Sequence, residues 1–213
     1  MVAPINTTTR LMRFRRVLKS AFGVIAKTAT FLSIALIGGS VSSWYAVEGG
    51  TRFNTERQGP WVKWSNAGRL GADPYSKVRF NRREVLVFNA DLAKRYEASR
   101  DSDGRVLHSS CNYVLEGARL SNSWWSLAVF DSKGELIPNP ANRYGFNAAT
   151  VGYKIDGGFT IHLSREAKPY NWLPTARGGK LVLILEVQQR LGSISIETDA
   201  SEVMLPEIKR TSC

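Results

Sequence analysis

The residues best suited to ligand chemistry lie in one proline-flanked segment that contains Asn139, Asn142 and Arg143. Two prolines beside Asn139 restrict the backbone, so the polar side chains are held in a limited set of positions. A guanidinium presents a planar fork of donors that suits an anionic ligand. The segment is therefore a candidate binding site. In the alternative, which we favour, Arg143 pins the turn by pairing with Asp156 or with loop carbonyls.

Three residues further along the chain extend this candidate site: Asp156, Asn171 and Trp172. Asp156 precedes two glycines, where aspartate is an ordinary turn residue. The indole of Trp172 either fills the core, as we expect, or lines a sugar-binding groove. All three are therefore candidates for ligand binding, and for each of them a structural role is an equally simple alternative.

Familiar catalytic motifs are missing from the sequence. The two histidines, His108 and His162, are not at ligand spacing, so we predict no metal site and no cofactor. Neither a G-x-S-x-G elbow nor a glycine-rich phosphate loop occurs. We expect a protein that is not an enzyme. The alternative is a carbohydrate- or ester-active hydrolase that uses acids near Asn139–Arg143 and Asp156.

The only two cysteines, Cys111 and Cys213, allow one disulfide. An even cysteine count in an exported domain permits such a bond. It would tie the C-terminus to a strand. Otherwise Cys111, on the apolar side of its predicted strand, acts as a small buried hydrophobe.

An uncharged run near the N-terminus predicts a membrane anchor. Residues 28–47 carry no formal charge, and a bilayer-spanning helix needs roughly 20 such residues. Residues 1–27 contain six basic residues and no acid, which accounts for +6 of the net charge of +11. Positive flanks stay in the cytoplasm, and Trp44 and Tyr45 suit the headgroup region. We therefore expect an uncleaved anchor, with cleavage of a signal peptide as the alternative.

These features predict a single-pass protein of a bacterial inner membrane. Its parts would be a basic cytoplasmic tail (1–27), the anchor (28–47), a linker (48–58) and a periplasmic domain (59–213) that acts as an envelope binding or assembly module. The remaining positive charge is spread thinly, which argues against nucleic acid as a partner. The expected partners are the inner membrane, through residues 28–47, and an envelope protein or a second copy, through the apolar strand Leu181–Val187 or an exposed sheet edge.

Alternating apolar residues and glycine-rich turns predict a mostly β domain. In the segment 123–131, Trp125, Leu127 and Val129 fall on one face of a strand. The turn 101–104 predicts a hairpin that joins a strand at 95–100 to a returning strand with Cys111. Strands with turns at such short spacing indicate a sandwich or barrel.

One helix is predicted before the strands. Asp73 and Pro74 form a typical helix start, since Asp caps free amides and Pro fits the first helical position. Apolar spacing then extends the helix over residues 74–90. Its basic residues Lys77, Arg79, Arg82 and Arg83 are expected to form a solvated face. The alternative is a basic stripe that faces nucleic acid or phospholipid headgroups.

Four ordered motifs in the C-terminal half resemble the family named domain of unknown function 1214. They are Trp124-Trp125-Ser126-Leu127 with Phe130-Asp131, Ile137-Pro138-Asn139-Pro140 with Asn142-Arg143-Tyr144, Asp156-Gly157, and Asn171-Trp172-Leu173-Pro174. Ala72-Asp73-Pro74-Tyr75 resembles the start of a shorter, membrane-anchored branch of the family. The resemblance covers roughly residues 59–210. It implies a jelly-roll-like antiparallel β-sandwich with one N-terminal flanking helix, preceded by a transmembrane helix, and it implies no assigned reaction.

Overall fold

The chain divides into two compact units, one that ends at Gly49 and one that begins at Gly50. The computed structural model describes residues 7–50, 53–89, 92–118, 120, 124–188 and 204–213. The first unit is helical and the second contains the β-strands.

Helix α1 (Thr7–Gly49) forms the first unit without a break. Its segment Ala21–Gly49 is 29 residues long and, by length and composition, is able to cross a membrane. Several of its polar residues are hydroxyl side chains that bond within the helix. Thr28 Oγ1 and Ser33 Oγ, for example, donate to the carbonyls four residues earlier at 3.0 Å and 2.8 Å. Such bonds satisfy a hydroxyl where no water is available.

Strand β1 (Thr55–Gln58) pairs with β2 (Trp61–Trp64) at the start of the second unit. The predicted linker 48–58 is therefore wrong over residues 55–58. Gly59, with φ of +57°, lies in the tight turn between the two strands. The strand was missed because β1 lies at the edge of its sheet and is largely solvent-accessible, so it lacks the apolar alternation of a buried strand.

Helix α2 (Pro74–Arg82) begins where its sequence predicts. Asp73 caps it by accepting a hydrogen bond from the Ser76 N–H at 3.0 Å. Burial raises the pKa of Asp73, but the hydrogen bonds from the Ser76 side chain and backbone together lower it below its usual value. The predicted end at residue 90 is wrong, because the helix ends at Arg82. Arg83 is its C-cap, and the next residue, Glu84, has a positive φ of 52°.

Within the described residues, ten strands form two sheets, which confirms the mostly β, sandwich-like fold. The large sheet has the order β1-β2-β3-β9-β5-β6 and the small sheet has the order β10-β4-β7-β8. All paired strands are antiparallel except β7 and β8. The remaining strands are β3 (Ala93–Ala98), β4 (Asn112–Gly117), β5 (Trp125–Asp131), β6 (Gly145–Asn147), β7 (Phe159–Ser164), β8 (Trp172–Pro174), β9 (Leu181–Gln188) and β10 (Glu207–Ser212).

One core cluster contains side chains of both sheets, as in a sandwich. Strand β5 contributes its odd-numbered residues, since Trp125, Leu127 and Val129 are each 1% exposed. The Trp125 ring stacks on the ring of Phe159 from the small sheet, with centroids 4.9 Å apart. The Phe159 ring also lies over Gly117 in β4, where a Cβ atom would be 2.6 Å from it. A glycine is therefore required at position 117 to make room for this stack.

The predicted hairpin after β3 is wrong in its partner, although its turn is present. Gly104 N donates to Asp101 O at 2.9 Å, as a tight turn requires. However, β3 pairs with β2 and β9, whereas β4 pairs with β7 and β10 of the other sheet. The chain therefore crosses between sheets after the turn.

Replacing Trp125 by Ala is expected to lower the free energy of unfolding of the second unit by about 3–5 kcal/mol, because it removes a buried indole and leaves Phe159 without its stacking partner. Trp124→Ala is the matched control. Its side chain is 46% exposed, so we expect a loss of about 0.5 kcal/mol or less. Urea unfolding of the detergent-solubilised chain, followed by circular dichroism, measures both. Equal losses would contradict the assignment of Trp125 to the core.

Candidate functional site

The loop at residues 137–143 is closed by hydrogen bonds between the side chain of Asn139 and the loop backbone. Asn139 is 9% exposed. Its Nδ2 donates to the carbonyl oxygens of Ile137 (3.1 Å) and Arg143 (3.0 Å), and its Oδ1 accepts from the Arg143 N–H at 3.1 Å. Asn142 is exposed and has a φ of +48°, which asparagine tolerates in turns. The bonds of Asn139 satisfy backbone groups that would otherwise lack partners inside the loop.

Arg143 joins this loop to β8 rather than to Asp156. Its Nη1 donates to the carbonyl oxygen of Trp172 at 3.2 Å, and its guanidinium lies 5.7 Å from the centre of the Phe146 ring. Asp156 accepts instead from the Gly158 N–H at 2.9 Å within its own turn. Arg143 therefore pairs with neither of its expected partners, Asp156 or a loop carbonyl, but with a carbonyl of strand β8.

Asn171 and Trp172 bond to the backbone of neighbouring segments. Asn171 Oδ1 accepts from the Gly152 N–H at 2.7 Å, and its Nδ2 donates to the carbonyl oxygens of Gly152 and Thr160. Trp172 is half-buried and its Nε1 donates to Ser164 O at 3.1 Å. These contacts support the loops of the small sheet. A ligand-binding role for the six predicted residues stays a prediction.

Cys111 and Cys213 form a disulfide in the structure, with an S–S distance of 2.04 Å. Cys111 precedes β4 and Cys213 follows β10. The pairs Arg210↔Tyr113 and Ser212↔Asn112 show that one residue, Thr211, is added between them as a bulge. This extra residue shifts the register by one, so that Cys213 lies opposite Cys111.

A cleft that the sequence did not predict lies on the face of the large sheet turned away from the core. Its volume is about 240 Å³. Residues of α2 and of the chain after it, of three strands and of the turn after β5 line it: Phe80, Arg83, Val85, Arg95, Glu97, Phe130, Asp131, Ser132, Lys133, Gly134, Val182 and Ile184. The cleft thus combines an apolar floor with charged walls, as binding sites for small molecules often do.

Two of the residues that line this cleft, Arg95 and Glu97, belong to a chain of ion pairs. Arg95 Nη1 is 2.9 Å from Glu186 Oε1 and its Nε is 3.4 Å from Glu97 Oε1. Arg79 Nη2 is 3.1 Å from Glu97 Oε2, and its guanidinium lies 4.6 Å from the centre of the Trp64 ring. The predicted solvated face of α2 is therefore wrong for Arg79, whose side chain is only 8% exposed. Helical spacing could not reveal its distant partner on β3.

The cleft is better suited to binding than to proton transfer. Glu97 contacts two arginines, and Asp131 Oδ1 accepts from the N–H groups of Lys133 (2.8 Å) and Glu135 (2.9 Å). Both acids are thus already engaged by the protein. Arg95 is likewise paired, with Glu97 and Glu186, so the cleft presents a ligand with an apolar floor and paired charges. Within the described residues, no group of three His, Cys, Asp or Glu side chains is placed to hold a metal ion.

One contact between a nucleophile and a base occurs elsewhere, at the surface. Ser110 Oγ lies 2.8 Å from Nδ1 of His108, and the Ser110 N–H donates to the same nitrogen at 3.2 Å. Both residues are exposed and two positions apart, so the contact closes a local turn. A catalytic pair needs a third group that orients the base and a site for the reacting carbonyl, and the contacts of this turn supply neither.

The fold and the cleft define a mostly β, two-sheet domain with a charged surface cleft. Residues 93–189 match the family model described as "Protein of unknown function (DUF1214)", which confirms the resemblance that the motifs indicate. A comparison with curated proteins found no match.

Two solved structures are similar to this chain. The VPA0106 protein from Vibrio parahaemolyticus has a TM-score of 0.52 and 22% identity, over 66% of this chain and 36% of that one. An uncharacterised protein from Burkholderia cenocepacia has a TM-score of 0.40 and 17% identity, over 80% and 39% of the two chains. At 22% identity, the likeness to the Vibrio protein shows the fold alone. The aligned part spans little more than a third of either protein.

Glu97→Gln is expected to lower the free energy of unfolding of the second unit by about 3 kcal/mol, because it removes the carboxylate that the buried Arg79 contacts and one of the two that Arg95 contacts. Glu56→Gln is the matched control on the same sheet. Glu56 contacts Lys63 at 2.8 Å but is 61% exposed, and we expect a loss below about 1 kcal/mol. Urea unfolding measures both, and similar losses would show that the ion-pair chain does not support the fold.

Proposed function

We propose that this protein is a single-pass membrane protein whose β-sandwich domain acts as a non-catalytic binding or assembly module in a bacterial cell envelope. One observation carries the proposal. The part of α1 between Ala21 and Gly49 is long and apolar enough to span a bilayer, its side chains are almost all exposed, and six basic residues lie within residues 1–27. An exposed apolar helix of this length is stable where lipid, and not water, surrounds it.

The charge distribution supports an orientation with the N-terminus in the cytoplasm. Basic residues next to a spanning segment are retained on the cytoplasmic side. Residues 28–47 are uncharged, and all six basic residues precede them. The domain that begins at Gly50 would then lie in the periplasm.

The disulfide independently favours an oxidising compartment. Disulfides persist in the periplasm and are rare in the cytosol, where thiols are kept reduced. Cys111 and Cys213 are bonded across 102 residues of sequence. A periplasmic domain therefore accounts for both the charge pattern and the cross-link.

Binding is favoured over catalysis by the way the acidic side chains are used. Arg143 and Asp156, on which the hydrolase alternative rested, bond to backbone groups of separate turns. The cleft on the large sheet instead offers an apolar floor and arginine side chains. Self-association through the edges of β9 is not open to the domain, because β3 and β5 pair with both of them. A partner would therefore bind a surface other than the edges of β9.

Protease treatment of intact spheroplasts tests the location. We expect the full chain to remain in the membrane after alkaline carbonate extraction, and its domain to be digested from outside while a cytoplasmic marker stays intact. A domain that is protected in intact spheroplasts and digested after lysis would contradict the orientation. An N-terminal sequence that starts beyond residue 40 in the mature protein would contradict the uncleaved anchor.

Removal of the disulfide tests the compartment and the fold together. Cys111→Ala is expected to lower the free energy of unfolding by roughly 4 kcal/mol, because the bond closes a loop of about 100 residues. Cys213→Ala should cause the same loss, and the double variant should lose no more, because either change removes the one cross-link. Thiol labelling of the denatured wild-type protein without reductant should detect no free thiol. Two free thiols in the exported protein would contradict the proposal.

A further inference from the structure

One surface of the second unit exposes several large apolar side chains to solvent. It comprises the residues around α2, from 66 to 89, and is called here the α2 surface. Leu70 is 100% and Leu86 is 95% exposed, and three further large apolar side chains stand out beside them: Tyr75, Val78 and Phe88. Scattered single apolar residues are ordinary, but a contiguous group marks an interaction site.

A groove runs between these side chains. Its volume is about 560 Å³, and it lies between the chain at 67–72, α2 and the chain at 85–87. Its walls are mostly apolar and include Ala67, Ala72 and Val85. The groove and the exposed side chains form one continuous apolar feature, because Leu70, Val78 and Leu86 belong to both.

The α2 surface carries mainly positive charge. Among the exposed charged residues from 66 to 89, four are basic and one, Glu84, is acidic; the basic ones are Arg69, Lys77, Arg82 and Arg83. Asp73, the other acid of the segment, is engaged as the cap of α2. Two basic residues, Arg69 and Lys77, line the groove itself. The α2 surface therefore complements a surface that is apolar within and negative at its rim.

We propose that the α2 surface binds anionic phospholipid and lies in the headgroup layer of the membrane. Apolar and aromatic side chains beside Lys and Arg are typical of elements that lie in this layer, since the apolar groups enter the acyl boundary and the basic groups contact phosphates. The core of a protein interface is instead poor in lysine. A lipid surface thus accounts for both the charge and the exposed side chains.

The inference rests on the proposed membrane anchor. The second unit begins at Gly50, directly after the segment that is able to span the bilayer. The α2 surface follows within about forty residues of sequence. A tether raises the effective concentration of the second contact, so even a weak affinity for lipid holds the surface at the membrane.

A single fluorescent label tests the contact in the full chain. Because Cys111 and Cys213 are bonded to each other, a cysteine introduced by Leu86→Cys is the one thiol open to an NBD probe. The labelled chain is placed in nanodiscs of phosphatidylcholine alone or of equal parts phosphatidylcholine and phosphatidylglycerol. Doxyl-labelled phosphatidylcholine serves as quencher. We expect a blue shift and about a twofold loss of fluorescence in the anionic discs, and a smaller loss in the neutral ones.

Ile155→Cys provides the matched position. Ile155 is also a fully exposed apolar residue, but it lies in the turn before β7, away from the α2 surface. We expect little quenching there in either disc.

Paired charge variants complete the design. Lys77→Gln with Arg82→Gln should remove most of the difference in quenching between the two discs. Lys154→Gln with Lys168→Gln, which removes the same charge elsewhere, should preserve it.

The outcomes separate the inference from the proposed function. A chain that resists alkaline extraction but shows no quenching at position 86 overturns the inference alone. A blue shift that grows with protein concentration, without quenching by lipid, also overturns it and assigns the α2 surface to protein contacts. A chain that is extracted from the membrane overturns the proposed function, and the inference with it.

Discussion

The contact between the rings of Trp125 and Phe159 is the constraint on which the sandwich depends. The two rings come from different sheets and stack with an interplanar angle of 22°. Their position fixes which face of β5 and of β7 turns inward, and the period of two along each strand then assigns every other side chain. Gly117 is part of the same constraint, because any side chain there would enter the Phe159 ring. The residues of β5 and β7 that face away from the core follow from the same constraint.

Local patterns predicted the individual elements well because each rests on contacts within a few residues. The alternation of β5 and the Asp73 cap of α2 are both found as their sequences predict. Pairing could not be predicted in the same way. A strand with one apolar face has the same sequence pattern in either sheet, so the local sequence does not show that β3 and β4 belong to different sheets. The predicted length of α2 was wrong for a related reason. Residues 85–88 have the apolar side chains of a helix, but they follow Glu84, whose positive φ ends the helical conformation.

The candidate site shows a second limit of prediction from the sequence. Polar residues in a proline-rich loop predict a ligand site and a self-supporting loop equally well, because both need fixed donors and acceptors. In this chain Asn139 and Asn171 each make three bonds to backbone groups. The sequence contains only a weak signal for the cleft on the large sheet. Arg95 and Glu97 are two positions apart and so share one face of β3. Their partners Arg79 and Glu186 are distant in sequence, and only the fold brings them together.

The two outer regions of the domain differ in a way that bears on function. On the large sheet, charged side chains pair with one another and cover the strands, so this face is compatible with water. Around α2, apolar side chains remain exposed although the sandwich already has a filled core with residues from both sheets. Residues such as Leu70 and Leu86 add little to the stability of the fold, because they bury almost no area. Their exposure is therefore better explained by something that covers them outside the domain. The α1 segment Ala21–Gly49 is long and apolar enough to span a bilayer, and the proposed contact with lipid would supply such a cover.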